Sequence, residues 1–92
     1  MPKTILITGS TDGIGLLAAQ MLAEQGHRIL LHGRSDDKLA SAAESIPGPT
    51  QTYRADLSSL DETRAMGNAI LEDHAQLDLL INNAVVLKAP ET

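Results

Sequence analysis

The chain has 92 residues, 42% of them hydrophobic, which suits one small domain. Its core must be aliphatic, because Tyr53 is the single aromatic residue among Phe, Trp and Tyr. Seven basic against twelve acidic residues leave a formal charge of −5, which excludes the basic face that non-specific nucleic-acid binding needs, and the lack of cysteine excludes disulfides and thiolate or Cys-zinc chemistry.

Residues 3–8 read as the first strand, with Ile5, Leu6 and Ile7 consecutive and apolar, as in a strand covered on both faces. Thr8-Gly9-Ser10-Thr11-Asp12-Gly13-Ile14-Gly15 follows, and it opens an amphipathic stretch. Strand, glycine turn and helix N-terminus together form an anion cradle. The first helical N–H groups have no partners inside the helix, and the macrodipole places partial positive charge there. The spacing Gly-x-x-x-Gly-x-Gly differs from the Gly-x-Gly-x-x-Gly fingerprint of dinucleotide-binding folds, but the mechanics are the same.

The first helix is expected from about Ile14 to Gln25, with Leu17, Met21 and Leu22 as its buried stripe, Ala18 filling in, and Gly26 ending it. Arg28-Ile29-Leu30-Leu31-His32 is the second strand, closed by Gly33-Arg34. Ser35 is the expected N-cap of the next helix, whose Leu39, Ala42, Ala43 and Ile46 share a face before Pro47-Gly48-Pro49 stops it. Residues 50–55 form a more polar third strand, which suggests a sheet edge. Asp56-Leu57-Ser58 leads into a helix over roughly 59–75, where Ser58 with Asp61 or Ser59 with Glu62 offers a capping box. Leu60, Met66, Ala69 and Ile70 are its expected buried side, and Asp78-Leu79-Leu80-Ile81-Asn82 is the fourth strand.

Strands alternating with helices mean a parallel sheet, and right-handed crossovers set its layout. The predicted fold class is α/β: a Rossmann-like three-layer fragment of four parallel strands in order 3-2-1-4 with three crossover helices. Residues 1–84 form the domain and 85–92 a C-terminal tail. The switch point lies between strands 1 and 4, where ligands of open α/β sheets bind. Four pieces meet there at the C-terminal ends of strands: the glycine turn, Gly33-Arg34, Asp56-Leu57 and Asn82-Asn83-Ala84.

In these pieces the chain resembles the short-chain dehydrogenase/reductase family. Thr8-Gly9-x-x-x-Gly13-Ile14-Gly15 is similar to that family's cofactor motif, and Asn82-Asn83-Ala84 to its Asn-Asn-Ala-Gly segment. Asp56-Leu57 and Leu77-Asp78-Leu79-Leu80 also match, so the resemblance covers essentially the whole chain but only the N-terminal part of a family member. It implies that amides and hydroxyls of Gly9, Ser10, Thr11, Asp12, Gly13, Ile14 and Gly15 hold the pyrophosphate and nearby ribose, with Ile14 against the cofactor. Asp56 would accept from the adenine amino group, aided by the Leu57 backbone. Asn83 and Ala84 would line the adenosine ribose side, and Asn82 would tie the fourth strand to the glycine turn. An NAD site places an acid at the end of strand 2. Here Arg34 and Ser35 stand there, with Lys38 and Thr11 in support, so NADP (NADPH) is expected over NAD.

The chain departs from the family at Val85, where a glycine is expected, and at His74-Ala75, where phenylalanine-glycine is expected. The family's catalytic serine and Tyr-x-x-x-Lys pair fall beyond residue 92, and Tyr53 is followed by Leu57 rather than lysine. No catalytic residue is therefore assigned, and these residues alone are expected to bind cofactor without turning over. The fourth strand becomes an open edge, which predicts self-association or a complementing chain. The alternatives are a non-catalytic dinucleotide-binding module and an interaction protein that uses this edge. His27, His32 and His74 show no metal-ligand spacing and read as structural or solvated. No apolar run approaches the roughly 20 residues of a membrane span, and there is no signal-peptide pattern, so a soluble cytoplasmic protein is expected, with no metal and no membrane partner.

Overall fold

A computed structural model describes residues 2–74 and 76–84. The elements run β1 (Thr4–Ile7), α1 (Gly13–Glu24), β2 (Arg28–Gly33), α2 (Asp36–Glu44), β3 (Thr50–Arg54), α3 (Leu60–Asp73) and β4 (Leu79–Ile81). The four strands form one parallel sheet in the order β3-β2-β1-β4. Alternation and the right-handed crossover rule predict that order. The elements begin and end within a residue or two of the positions expected from sequence. The expected tail, including Val85, and Ala75 lie outside the described residues.

Two apolar clusters sandwich the sheet. Ile5 and Ile7 of β1 join Ile29 and Leu31 of β2 with Ala19, Ala23, Leu39 and Ala42 from α1 and α2. Leu6 and Leu30, pointing the other way, join Tyr53, Met66 and Ile70 with α3. Successive strand residues face opposite sides, so an unbroken apolar run feeds both layers. β3 is an edge strand, and of its five residues only Tyr53 is buried. The polar sequence of that strand matches its position.

The helix ends follow local chemistry. Ser35 Oγ accepts from the Lys38 amide at 3.3 Å, with Asp36 and Asp37 in the first turn of α2. Of the two possible boxes on α3, Ser59 and Glu62 are chosen, with the Glu62 amide donating to Ser59 Oγ at 3.2 Å. The box is not closed. Glu62 Oε1 instead accepts from the Asp56 amide at 3.1 Å and from Arg54 Nη1 at 2.8 Å, which ties α3 to the end of β3.

Two packing expectations are corrected. Leu17 and Met21 are 56% and 55% exposed, so they do not form the buried stripe of α1. Gly15, Ala19 and Ala23 do, flanked by the partly buried Leu16, Ala18 and Leu22. The small residues are spaced by four and let the helix lie close to the sheet, and α1 is apolar on nearly every side, so periodicity alone could not orient it. Leu60 is also exposed, at the first position of α3, while Met66 and Ile70 are buried and Ala69 packs beside them as expected.

Candidate functional site

At the C-terminal edge of the sheet a crevice of about 560 Å³ opens between the ends of all four strands. The glycine turn contributes Gly9, Thr11 and Asp12; the end of β2 and start of α2 contribute His32, Gly33, Arg34, Ser35 and Lys38; the β3–α3 loop contributes Asp56, Leu57 and Ser58; and the segment after β4 contributes Asn83 and Ala84. All four pieces predicted from sequence therefore meet in one place, at the topological switch point.

The turn is built around close backbone approach. Gly9 has φ +63°, in the left-handed region, and a Cβ there would lie 3.1 Å from Ala84 Cα. A Cβ on Gly15 would run into the Gly9 carbonyl oxygen and lie 2.6 Å from Asn83 Nδ2. The start of α1 is thus pressed onto the turn that precedes it.

Thr8 fastens this turn to β4. Its hydroxyl oxygen accepts from the Asn83 and Ala84 amides, both at 3.0 Å, and the hydroxyl donates towards Asn82 Oδ1 at 3.2 Å. Asn83 Nδ2 donates to the Gly9 carbonyl at 3.1 Å. Asn82 performs the tie expected of it, and Asn83 shares that task while also lining the crevice.

α1 differs from the other two helices at its N-terminus. Asp12 sits at the N-cap position with extended backbone, but its side chain makes no capping bond, and the first turn holds no acid. Among the described residues no side chain accepts from the Gly13, Ile14 or Gly15 amides. α2 and α3 satisfy the same groups with serine caps and acids. The N-terminal dipole of α1 is therefore met by neither a side-chain cap nor a first-turn acid.

Four of the predicted phosphate contacts, Ser10, Gly13, Ile14 and Gly15, are outside the lining of the crevice. Ser10 is fully buried; its hydroxyl accepts from the His32 amide at 2.9 Å and donates towards the His32 carbonyl at 3.3 Å. The Ser10 amide donates to the same carbonyl at 2.9 Å, and the Gly9 amide donates to His32 Nδ1 at 2.9 Å. Buried polar groups must find partners, and here the partners lie within the protein. Gly13, Ile14 and Gly15 are beside the crevice rather than in its lining: Ile14 is 79% exposed on the first turn of α1, and Gly15 is buried beneath it.

The cationic corner is formed by Arg34 and Lys38, beside the Ser35 cap. Lys38 Nζ lies 3.9 Å from Asp12 Oδ2, a loose and solvent-exposed pair. Among the described residues Arg34 makes no ion pair, so its guanidinium is available to a ligand in the crevice. Across from it, the Asp56 carboxyl is held below its ordinary range. The Ser58 hydroxyl and amide bond to its Oδ1 at 2.7 and 3.0 Å, and the charges of Arg34 and Arg54 assist. Asp56 is therefore an ionised acceptor at neutral pH.

Tyr53 takes no part in the crevice. Its hydroxyl donates to Asp73 Oδ2 at 2.9 Å, across to the end of α3. Burial, together with that carboxylate, pushes the phenol up to about 12. From the sequence alone His32 reads as structural or solvated and Thr8 has no more than a place in the motif. The available signals were a histidine ending an otherwise apolar strand and a hydroxyl closing another. Among the described residues no helix is long and apolar enough to cross a membrane, and no cluster of side chains could hold a metal ion.

A family model described as short chain dehydrogenase matches residues 3–92. An uncharacterized oxidoreductase of Emericella nidulans is 46% identical over 80 residues, which cover 87% of this chain and 31% of that protein. The crystal structure of a metagenomic short-chain oxidoreductase in complex with NADP is similar with a TM-score of 0.86 at 32% identity, over 91% of this chain and 39% of that one. The structure of an NAD+-bound xylitol dehydrogenase gives a TM-score of 0.82 at 30% identity, over 89% of this chain and 33% of that one. The chain spans about a third of the length of the curated relatives it matches.

Proposed function

The chain belongs to the short-chain dehydrogenase family, and we propose that it is the NADP-binding portion of an oxidoreductase of that family. The observation that carries this reading is the crevice itself. An uncapped helix N-terminus borders it, and Arg34 and Lys38 line it. That pairing suits a ligand with a diphosphate and a second, separate phosphate. The amides at the start of α1, from Gly13 to Gly15, would hold the diphosphate, with Thr11 and Asp12 beside it. Arg34 would take the 2′-phosphate, with Ser35 and Lys38 near. Asp56 would accept from the adenine amino group, Leu57 would pack against the base, and Ala84 with the Asn83 backbone would border the ribose. Relatives with known cofactors include both NADP and NAD users, so the preference rests on Arg34.

When bound, the nicotinamide would supply hydride to a carbonyl or withdraw it from an alcohol. Residues 1–84 would form the binding unit, in a soluble cytoplasmic protein. The proton for such a reaction needs an acid near the crevice. Tyr53 does not provide one, because it is turned away to Asp73 and its raised pKa makes it a poor proton donor. We expect residues 1–92 as they stand to bind dinucleotide without turnover. Titration of the chain with NADPH and NADH, followed by addition of simple aldehydes and ketones, tests both halves. Saturable binding with NADPH favoured and no oxidation is the expected result; no binding of either dinucleotide removes the proposal.

A second reading concerns association. Leu79 and Leu80 of β4 are 45% and 53% exposed, and no strand pairs with the outer edge of β4 among the described residues. Such an edge is a template for another strand. Self-association, or pairing with a complementing chain, would cover it. Sedimentation should show a concentration-dependent species that Leu80→Lys abolishes, and a monomer at all concentrations would remove this reading.

A further inference from the structure

His32 is 2% exposed at the end of β2, and each of its ring nitrogens is engaged. The Gly9 amide can only donate, so Nδ1, 2.9 Å away, must be a bare acceptor. Nε2 therefore carries the proton and donates to the Ala55 carbonyl at 2.9 Å. The ring is neutral, in one tautomer. It spans from the glycine turn on one side to the residue before Asp56 on the other. Its backbone is held equally firmly, with the Ser10 hydroxyl bonded to both its amide and its carbonyl.

We propose that His32 is a positioning residue: as a neutral ring it sets the spacing between the diphosphate turn and the adenine wall, and on protonation it releases the turn. A proton on Nδ1 would face the Gly9 N–H, donor against donor, and that bond would be lost. Gly9 would then move off the ring, and the start of α1, pressed against the Gly9 carbonyl through Gly15, would move with it. On the turn side its bonded neighbours are the uncharged Gly9 and Ser10. The charged groups that line the crevice with the ring are Asp12 on the turn, Arg34 and Lys38 after β2 and Asp56 after β3; at the β3 end Glu62 of α3 is bonded to Arg54 and to the Asp56 amide. Tyr53 lies beside His32 in register and is engaged with Asp73.

The inference about ligand affinity rests on the proposed dinucleotide site; the inference about the tautomer does not. The test uses NAD+, which lacks the 2′-phosphate and so brings no titrating group of its own into the range. Its affinity for the full chain is measured from about pH 8 to about pH 5. The expected result is a loss of about tenfold on acidification, the size of one lost internal hydrogen bond. In His32→Gln the amide oxygen can accept from Gly9 and the amide nitrogen donate to Ala55, with no titration, so its profile should be flat. An unchanged slope in that variant would overturn the proposal. A second measurement needs no ligand and no variant. Nitrogen NMR of the wild-type ring should show a bare Nδ1 at neutral pH, with the Gly9 amide signal shifting as the ring protonates. A proton found on Nδ1 at neutral pH, or a Gly9 signal indifferent to the ring, would overturn the proposal even if His32→Gln fails to fold. Absence of NAD+ and NADPH binding at every pH would defeat the proposed function and the affinity claim while the NMR result decides the tautomer.

Discussion

Replacing Arg34 with alanine tests the cofactor preference at its root. The guanidinium lines the crevice, makes no ion pair among the described residues and is solvent-exposed. A charge-assisted bond to a phosphate contributes about 1.5–3 kcal/mol when well shielded. Exposure weakens it, so about 1–2 kcal/mol is the appropriate range here. That corresponds to a loss of roughly 5–30-fold in NADPH affinity. NADH carries no group for Arg34 to bind, so its affinity should stay nearly constant. Asp56, the proposed acceptor for the adenine, is fixed by Ser58 rather than by Arg34, whose charge is a smaller influence. Lys38 is the remaining cation of the corner, held loosely by Asp12 at 3.9 Å. Arg34→Ala combined with Lys38→Ala should therefore erase most of what preference is left. Calorimetric titration of both dinucleotides, at low and high salt, reads the effect, and screening should shrink the wild-type preference as salt rises. If the ratio of the two affinities is the same in Arg34→Ala as in the wild type, the assignment of the 2′-phosphate to this corner is wrong.

Gly15→Ala should destabilise the fold by about 1–3 kcal/mol, as overpacking does, and weaken NADPH binding in the same variant, because the new methyl meets the Gly9 carbonyl and Asn83; chemical denaturation and titration check the two effects. Ser59→Ala removes the cap of α3 and should cost about 1 kcal/mol in a urea melt with little change in dinucleotide affinity. Tyr53 is the only tyrosine and there is no tryptophan, so alkaline ultraviolet titration reads it alone. Its pKa is raised from 10.0 to about 12, so the stability it lends is complete below pH 10.0 and lost as pH rises through about 12; phenolate absorbance should appear late in the folded protein and somewhat earlier in Asp73→Ala, which removes the hydrogen bond and the charge but not the burial. Asp56 shifts the other way: its contribution is present above the ordinary carboxylate value and lost as acid protonates the folded form, and Ser58→Ala should flatten that acid limb of a stability profile.

Much of the molecule was readable from order along the chain. Four apolar runs separated by helix-period segments dictate a parallel sheet, and crossover handedness then sends β4 to the far side of β1. That topology alone brings the glycine turn, Arg34, Asp56 and Asn83 to one edge, because in such a sheet every strand ends there. The caps at Ser35 and Ser59 were equally legible, since capping is settled within four residues.

What the sequence determined by itself was therefore whatever depends on local rules and on handedness: elements, strand order and the location of the crevice. Tertiary structure alone decided which side of α1 faces the sheet and which amides remain for a ligand. An almost uniformly apolar helix has no preferred face until neighbours of particular shape meet it, and small residues won at Gly15, Ala19 and Ala23. The bonds that use up Ser10 and the Gly9 amide, and those that Thr8 makes to Asn83 and Ala84, join residues 22 to 76 positions apart. A hydrogen-bond partner at such separation is chosen by the folded geometry, in which burial obliges each polar group to take what lies within reach.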